Sequence, residues 1–163
     1  MKTNVYWSDT VKWLSIIIGV LLIATVVCIL IFDFSLWSVF MSVFILAVTI
    51  YAAYLSPMSI ELNDTEMVLH KLIGSLHIPF DKITEIEPFE TDGTEVRLCG
   101  SGGFLGYTGL FYNKKLGRYH SYVGWYKQAF LVCTENNKKY VFSCENRELI
   151  ISTIKLSNQT LCK

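Results

Sequence analysis

Leu14–Phe32 reads LSIIIGVLLIATVVCILIF, 19 residues without a charge. Coiled as an α-helix at about 1.5 Å per residue, it would reach about 28 Å, close to the thickness of a bilayer's hydrocarbon core. Its β-branched residues, Ile16, Ile17, Ile18, Val26 and Val27, are mediocre helix formers in water. In lipid each backbone group must be satisfied within the segment, which makes helix almost obligatory. Trp7 and Trp13 precede the run, where amphipathic rings favour the headgroup level. Asp33 interrupts, and a second run of 22 residues follows from Phe34 to Leu55 (FSLWSVFMSVFILAVTIYAAYL). Trp37 marks one of its ends, Tyr51 and Tyr54 the other, and Pro57 stops the helix at Ser56. The pattern predicts spans at about 14–32 and 34–55 joined by a tight turn around Asp33–Ser35, a transmembrane hairpin. Two buried helices of a soluble protein would need a far larger chain to cover them. A signal peptide has a shorter apolar core and no second span behind it.

Outside these runs the chain is ordinary. It has 163 residues, 52% of them hydrophobic and 17% charged, and 14 Lys+Arg balance 14 Asp+Glu. Zero net charge argues against nucleic acid as a partner, and the composition excludes a disordered tail or a disulfide-rich miniprotein. Lys2 and Lys12 lie before the first run, the turn has no basic residue, and the other basic residues follow Leu55. The positive-inside rule then predicts both termini in the cytoplasm. Cys28, Cys99, Cys133, Cys144 and Cys162 show no C-x-x-C pairing and read as reduced thiols. Residues 1–56 are thus expected to be the N-terminal segment and hairpin, and residues 57–163 a cytoplasmic domain.

That domain alternates as strands do. Met58–Leu62 and Thr65–Leu72 flank an Asn63-Asp64 turn. Ser75–Pro79, Lys82–Phe89 and Glu95–Cys99 follow, then Leu116–Trp125, Lys127–Thr134 and Lys139–Ser143. A two-residue turn at Asn136-Asn137 would set Val132 opposite Val141, Leu131 opposite Phe142 and Cys133 opposite Tyr140. From Asn146, a residue type suited to a helix N-cap, to about Ser157 the period becomes helical, with Leu149, Ile150, Ile154 and Leu156 on one face. The fold class expected is α+β: the hairpin, then about seven strands and a terminal helix.

The stretch Gly100-Ser-Gly-Gly-Phe-Leu-Gly106, Gly109-Leu-Phe111, Leu116-Gly-Arg-Tyr119, Cys133-Thr134, Tyr140-Val-Phe-Ser143 and the terminal helix together resemble the bacterial pleckstrin-homology (PH)-like domains of small membrane proteins. The resemblance covers about residues 57–157. It implies a partly open β-barrel plugged by the C-terminal helix, and a place in the bacterial inner membrane. Phosphoinositide-binding PH domains carry a basic cluster in the first strand pair's loop. Here that loop is Asn63-Asp64 between Glu61 and Glu66, so that ligand is not carried over.

The glycines at 100, 102, 103, 106 and 109 match neither a Walker loop nor G-x-G-x-x-G. Three readings stay open: a bulged, sharply bent strand pair, which is favoured; a mobile loop for a ligand or partner; or a segment dipping into the bilayer. Phe104, Leu105, Tyr107, Phe111 and Tyr112 would supply apolar contact, and Lys114, Lys115 and Arg118 a basic cluster beside it. Charge is segregated: residues 57–95 hold nine acidic and two basic residues, residues 96–163 ten basic and three acidic. His70, His77 and His120 lack zinc spacing, and no catalytic, metal or cofactor residue is named. The expected function is non-enzymatic: a membrane-anchored docking or regulatory module for a protein, a peptide or the membrane surface. The alternative is a subunit of an oligomeric membrane assembly, channel-like or for transport, built through the hairpin, with homo-oligomers among its forms.

Overall fold

The computed structural model describes residues 1–32 and 35–161. The turn expected at Asp33–Ser35 therefore lies, apart from Ser35, outside the described residues, as does Cys162.

Helix α1 runs Asp9–Phe32 and α2 Leu36–Leu55. Ser8 caps the first: its hydroxyl accepts from the Val11 amide at 3.3 Å and its carbonyl from the Lys12 amide. Ser35 caps the second, in a reciprocal pair with Ser38. The helices lie side by side, with Gly19, Leu22 and Val26 of α1 across a groove from Ile45 and Thr49 of α2. Their apolar surface is bare: none of the 18-residue apolar window of α1 and 6% of that of α2 is buried. Such surface is favourable in lipid and costly in water, and both helices are long and apolar enough to cross a membrane.

The rest is β-rich, and the structure holds ten strands among the described residues where the sequence predicts about seven. One of the additions comes before the helices. Strand β1, Lys2–Asn4, pairs antiparallel with β2, Pro57–Leu62, setting Thr3 opposite Ile60. Strands β3 (Glu66–Lys71) and β4 (Ser75–Pro79) complete a four-stranded sheet in the order β1-β2-β3-β4. The second sheet has β5 (Ile83–Pro88), β6 (Val96–Gly103), β7 (Gly106–Asn113), β8 (Gly117–Val123), β9 (Ala129–Thr134) and β10 (Lys139–Ser143), in the order β5-β9-β10-β8-β7-β6. The two sheets do not close into a barrel. Strand β10 enters between β8 and β9, parallel to β8. The β8–β9 connection must therefore cross its end, and the buried Ser143 hydroxyl holds it there by accepting from the Gly124 amide at 2.8 Å.

The register of β9 and β10 differs from expectation by one residue: Val132 faces Tyr140, Leu131 faces Val141 and Cys133 faces Lys139. The turn has three residues, not two. The Asn137 amide donates to the Thr134 carbonyl, Asn137 itself takes φ +56°, and the Thr134 amide pairs with the Lys138 carbonyl. This is the type I turn plus left-handed residue that a three-residue hairpin uses.

Between the sheets lies the main core, including Ile60, Leu69, Phe80, Ile86, Phe130 and Phe142. Helix α3, Arg147–Leu161, closes it with Ile150, Ile151 and Ile154. Leu149 and Leu156, expected on that face, are instead exposed, and Ile151 takes the place beside Ile150. The opposite face of the second sheet carries a smaller core of Phe89, Phe111, Tyr119, Leu131 and Val141.

Candidate functional site

The glycine-rich stretch is not an open loop. It is the β6–β7 hairpin, paired from Val96↔Tyr112 to Gly103↔Gly106 with a bulge between Arg97 and Cys99. Gly100 and Gly109 face one another in it with φ +117° and +118°, a conformation L side chains rarely adopt. A Cβ on Gly100 would stand 2.1 Å from the Thr108 carbonyl oxygen, and one on Gly109 2.3 Å from that of Cys99. Both glycines are thus required by the backbone, as a bent strand pair demands.

The bend delivers the hairpin tip, Phe104-Leu105, to the two apolar helices. Leu105 has φ +56°. Its amide donates to the Ser15 hydroxyl of α1 at 2.8 Å, and its carbonyl accepts from the Ser56 hydroxyl at 3.1 Å. Ser15 is itself satisfied, donating to the Val11 carbonyl at 2.6 Å. The Phe104 carbonyl accepts from Ser101. Three hydroxyls thereby occupy the polar groups of a turn set against apolar helices, where an unpaired amide or carbonyl would be costly. The Phe104 ring borders a groove of about 270 Å³ with Ile18 and Leu22 of α1 and Phe44, Val48 and Ala52 of α2.

The N-terminal segment completes this junction. The Trp7 indole donates to the Pro57 carbonyl at 3.2 Å, and the Val5 amide donates to the Met58 carbonyl. Gly124 passes so close beneath that a Cβ there would lie 2.5 Å from the Tyr6 carbonyl oxygen. The Tyr6 and Trp125 rings stand 5.4 Å apart, and Lys12 lies 4.6 Å from the Tyr6 ring centre. At the end of α2, Lys71 lies 4.4 Å from the Tyr54 ring centre.

The residues singled out from the sequence fall in three places. Phe104 and Leu105 are at the junction. Tyr107 and the buried Phe111 turn into the smaller aromatic core, with Tyr107 4.9 Å from Tyr126 and Phe111 6.0 Å from Tyr119. Burial pushes the Tyr126 hydroxyl up to about 12 and Tyr119 higher still. Tyr112, Lys114, Lys115 and Arg118 are exposed at the opposite end of β7, around the turn into β8. The apolar tip and the basic cluster are therefore not neighbours. The basic end meets acidic chain instead: Asp92 is held below the usual carboxylate range, chiefly by its hydrogen bonds to Thr94, with the Lys115 charge adding to the effect.

Sequence reasoning passed over Ser15 and Ser56. Their signal is positional, a hydroxyl at the domain-side end of each apolar run. Among the described residues no three His, Cys, Asp or Glu side chains group as a metal would require. His70 and His77 bind glutamates across the first sheet, at 2.9 Å to Glu61 and 3.1 Å to Glu66. Cys28, Cys99, Cys133 and Cys144 are free thiols.

Comparison with curated proteins and with solved structures returns no match. Residues 58–157 match the family model described as a bacterial PH domain. Those bounds run from the second residue of β2 into α3 and take in both sheets except β1. More than half of the chain is covered, and the protein belongs to the bacterial PH domain family.

Proposed function

We propose that the chain is a non-enzymatic docking or regulatory module, with residues 1–56 as a two-span membrane anchor and residues 57–163 as a cytoplasmic PH-like domain that binds a protein or peptide partner. One observation carries this reading: the domain is clasped to its anchor rather than tethered. A single residue, Ser56, separates α2 from β2, and the Leu105 turn is held by hydroxyls from the ends of both helices. A module fixed in this way presents one constant face to the cytoplasm. The exposed end around Tyr112, Lys114, Lys115 and Arg118 is the surface left for a partner, while Phe104 and Leu105 serve the anchor.

The β1–β2 pairing supports the hairpin topology, because Lys2–Asn4 and Pro57–Leu62 must then lie on the same side of the membrane. The test is labelling with a membrane-impermeant maleimide in inverted and in right-side-out bacterial inner-membrane vesicles. The native Cys99, exposed on β6, and a cysteine placed by Lys2→Cys are both expected to react only in inverted vesicles. Reaction of the two from opposite sides, or release of the chain by alkaline carbonate, overturns the anchor reading. Light scattering of the detergent-purified full chain separates a monomeric docking module from an assembly subunit, for which a defined oligomer would speak.

A further inference from the structure

Three lysines lie over aromatic rings among the described residues, and all three stand at the helix–domain junction: Lys12 over Tyr6, Lys71 over Tyr54, and Lys127 over Trp125 at 5.6 Å. They come from distant parts of the sequence, namely the first turn of α1, the end of β3 and the short turn Tyr126–Gln128 before β9. Tyr6 against Trp125 makes two of the pairs one ladder, Lys12–Tyr6–Trp125–Lys127. The third pair sits at the other helix: Tyr54 is in the last turn of α2, and the Leu72 amide next to Lys71 donates to the Ser56 carbonyl. Lys12 shares its charge with the exposed Asp9 at 3.4 Å. Among the described residues neither Lys71 nor Lys127 has a carboxylate within ion-pair distance.

A ring face attracts the ammonium set over it, and the ammonium hydrogens turned away from the ring remain available to an anion. Aromatic rings and long basic side chains are also the groups that favour the level of lipid headgroups. We propose that Lys12, Lys71 and Lys127, each seated on its ring, form a collar that binds the phosphate groups of anionic glycerophospholipids around the two helices. The collar rests on the anchor reading above, since only a bilayer at the junction brings headgroups to it. It also differs from the basic cluster at Lys114, Lys115 and Arg118, which stands at the far end of β7.

The experiment uses the full chain in a mild non-ionic detergent, offered equal amounts of dioleoyl phosphatidylglycerol and dioleoyl phosphatidylcholine. Native mass spectrometry counts the lipids retained. Each cation near an anionic headgroup contributes roughly fivefold in affinity. The native protein is therefore expected to retain phosphatidylglycerol over phosphatidylcholine by about tenfold or more. The variant K12Q/K71Q/K127Q is expected to approach parity, K12R/K71R/K127R to keep the preference, and K114Q/K115Q/R118Q to behave as native. Should the triple Gln variant not fold, Lys127→Gln alone, on its exposed turn, is expected to lower the preference roughly fivefold. A native preference surviving the collar substitutions, or lost with the distal ones, overturns the proposal. Parity in a protein that resists carbonate extraction overturns the collar alone; release by carbonate overturns the anchor beneath it.

Discussion

The two ends of strand β7 are made from one glycine- and tyrosine-rich segment, yet they live in different surroundings. At Gly106 the strand begins beside a turn whose polar groups are held by Ser15, Ser56 and Ser101. At Asn113 it ends in a water-facing turn, where the Asn113 side chain accepts from the Leu116 amide at 2.6 Å and Lys114 and Lys115 are exposed. Eight residues suffice to separate an apolar contact from a charged one. Proximity in sequence is a poor guide to a site on a strand, because a strand carries its two ends apart.

Substitutions at paired positions can break this contrast. The largest effect is expected from Gly109→Ala, which puts a Cβ against the Cys99 carbonyl and keeps an unfavourable φ. A loss of about 3 kcal/mol or more in denaturant unfolding of the full chain is expected. Gly117→Ala, with φ +74° but open space around it, should cost about 1–2 kcal/mol. Equal losses would mean that the bent middle of β7 is no more constrained than the turn from β7 into β8.

Next come the hydroxyls. Ser15→Ala leaves the Leu105 amide without its partner and is expected to cost about 1–3 kcal/mol, with faster hydrogen exchange at Leu105. Asn113 is itself buried, but the Leu116 amide it holds lies in a turn beside the exposed Lys114 and Lys115, so water can replace it there and Asn113→Ala should cost less. The reverse order would place the structural demand at the basic end. Thiol chemistry then sharpens the picture of depth. Burial pushes Cys144 up to about 12, so at pH 8 maleimide is expected to modify Cys99 in the folded chain and Cys144 only after unfolding.

The smallest effect is at His120, midway along β8. Partial desolvation of its ring, stacked on Tyr140 though exposed on the other side, holds its pKa below the usual 6.5, and the Lys138 charge adds to that. The unfolded chain then takes up the proton more readily than the folded one. The contribution of His120 to stability is complete above pH 6.5 and is lost as pH falls below it. His120→Phe, stacked on Tyr140 as His120 is, should flatten the dependence of the melting midpoint on pH just below 6.5. An unchanged dependence would exclude His120 as its source.

Much of this architecture was legible in the sequence, for reasons that also explain the misses. The apolar runs are long and uncharged, and β2, β3, β5 and β9 alternate as half-buried strands must. Gly100–Gly109 hid the second half of β6 and the first half of β7, because glycine has no side chain with which to alternate, and the stretch forms a bulged strand pair. Strand β1 is three residues long and owes its existence to a partner 57 positions on, at Ile60. The β9–β10 register missed by one because Asn137, rather than Asn136 and Asn137 together, takes the left-handed conformation. On α3 the difference between Leu149 and Ile151 is a rotation of the helix that only packing against Phe80 and Ile86 fixes. The junction lay beyond reach, since Ser15, Ser56, Leu105 and Tyr6 come together only through the fold.

The pairing of β1 with β2 also bears on biogenesis. Lys2–Asn4 precede both apolar helices in the chain and find their partner only after those helices have been made. A chain with one helix inserted and the other left behind would hold Thr3 and Ile60 on opposite sides of a lipid barrier. In the proposed anchor, completion of the first sheet thus requires that both helices cross together, and a half-inserted chain would leave β2 with an unpaired edge open to proteolysis.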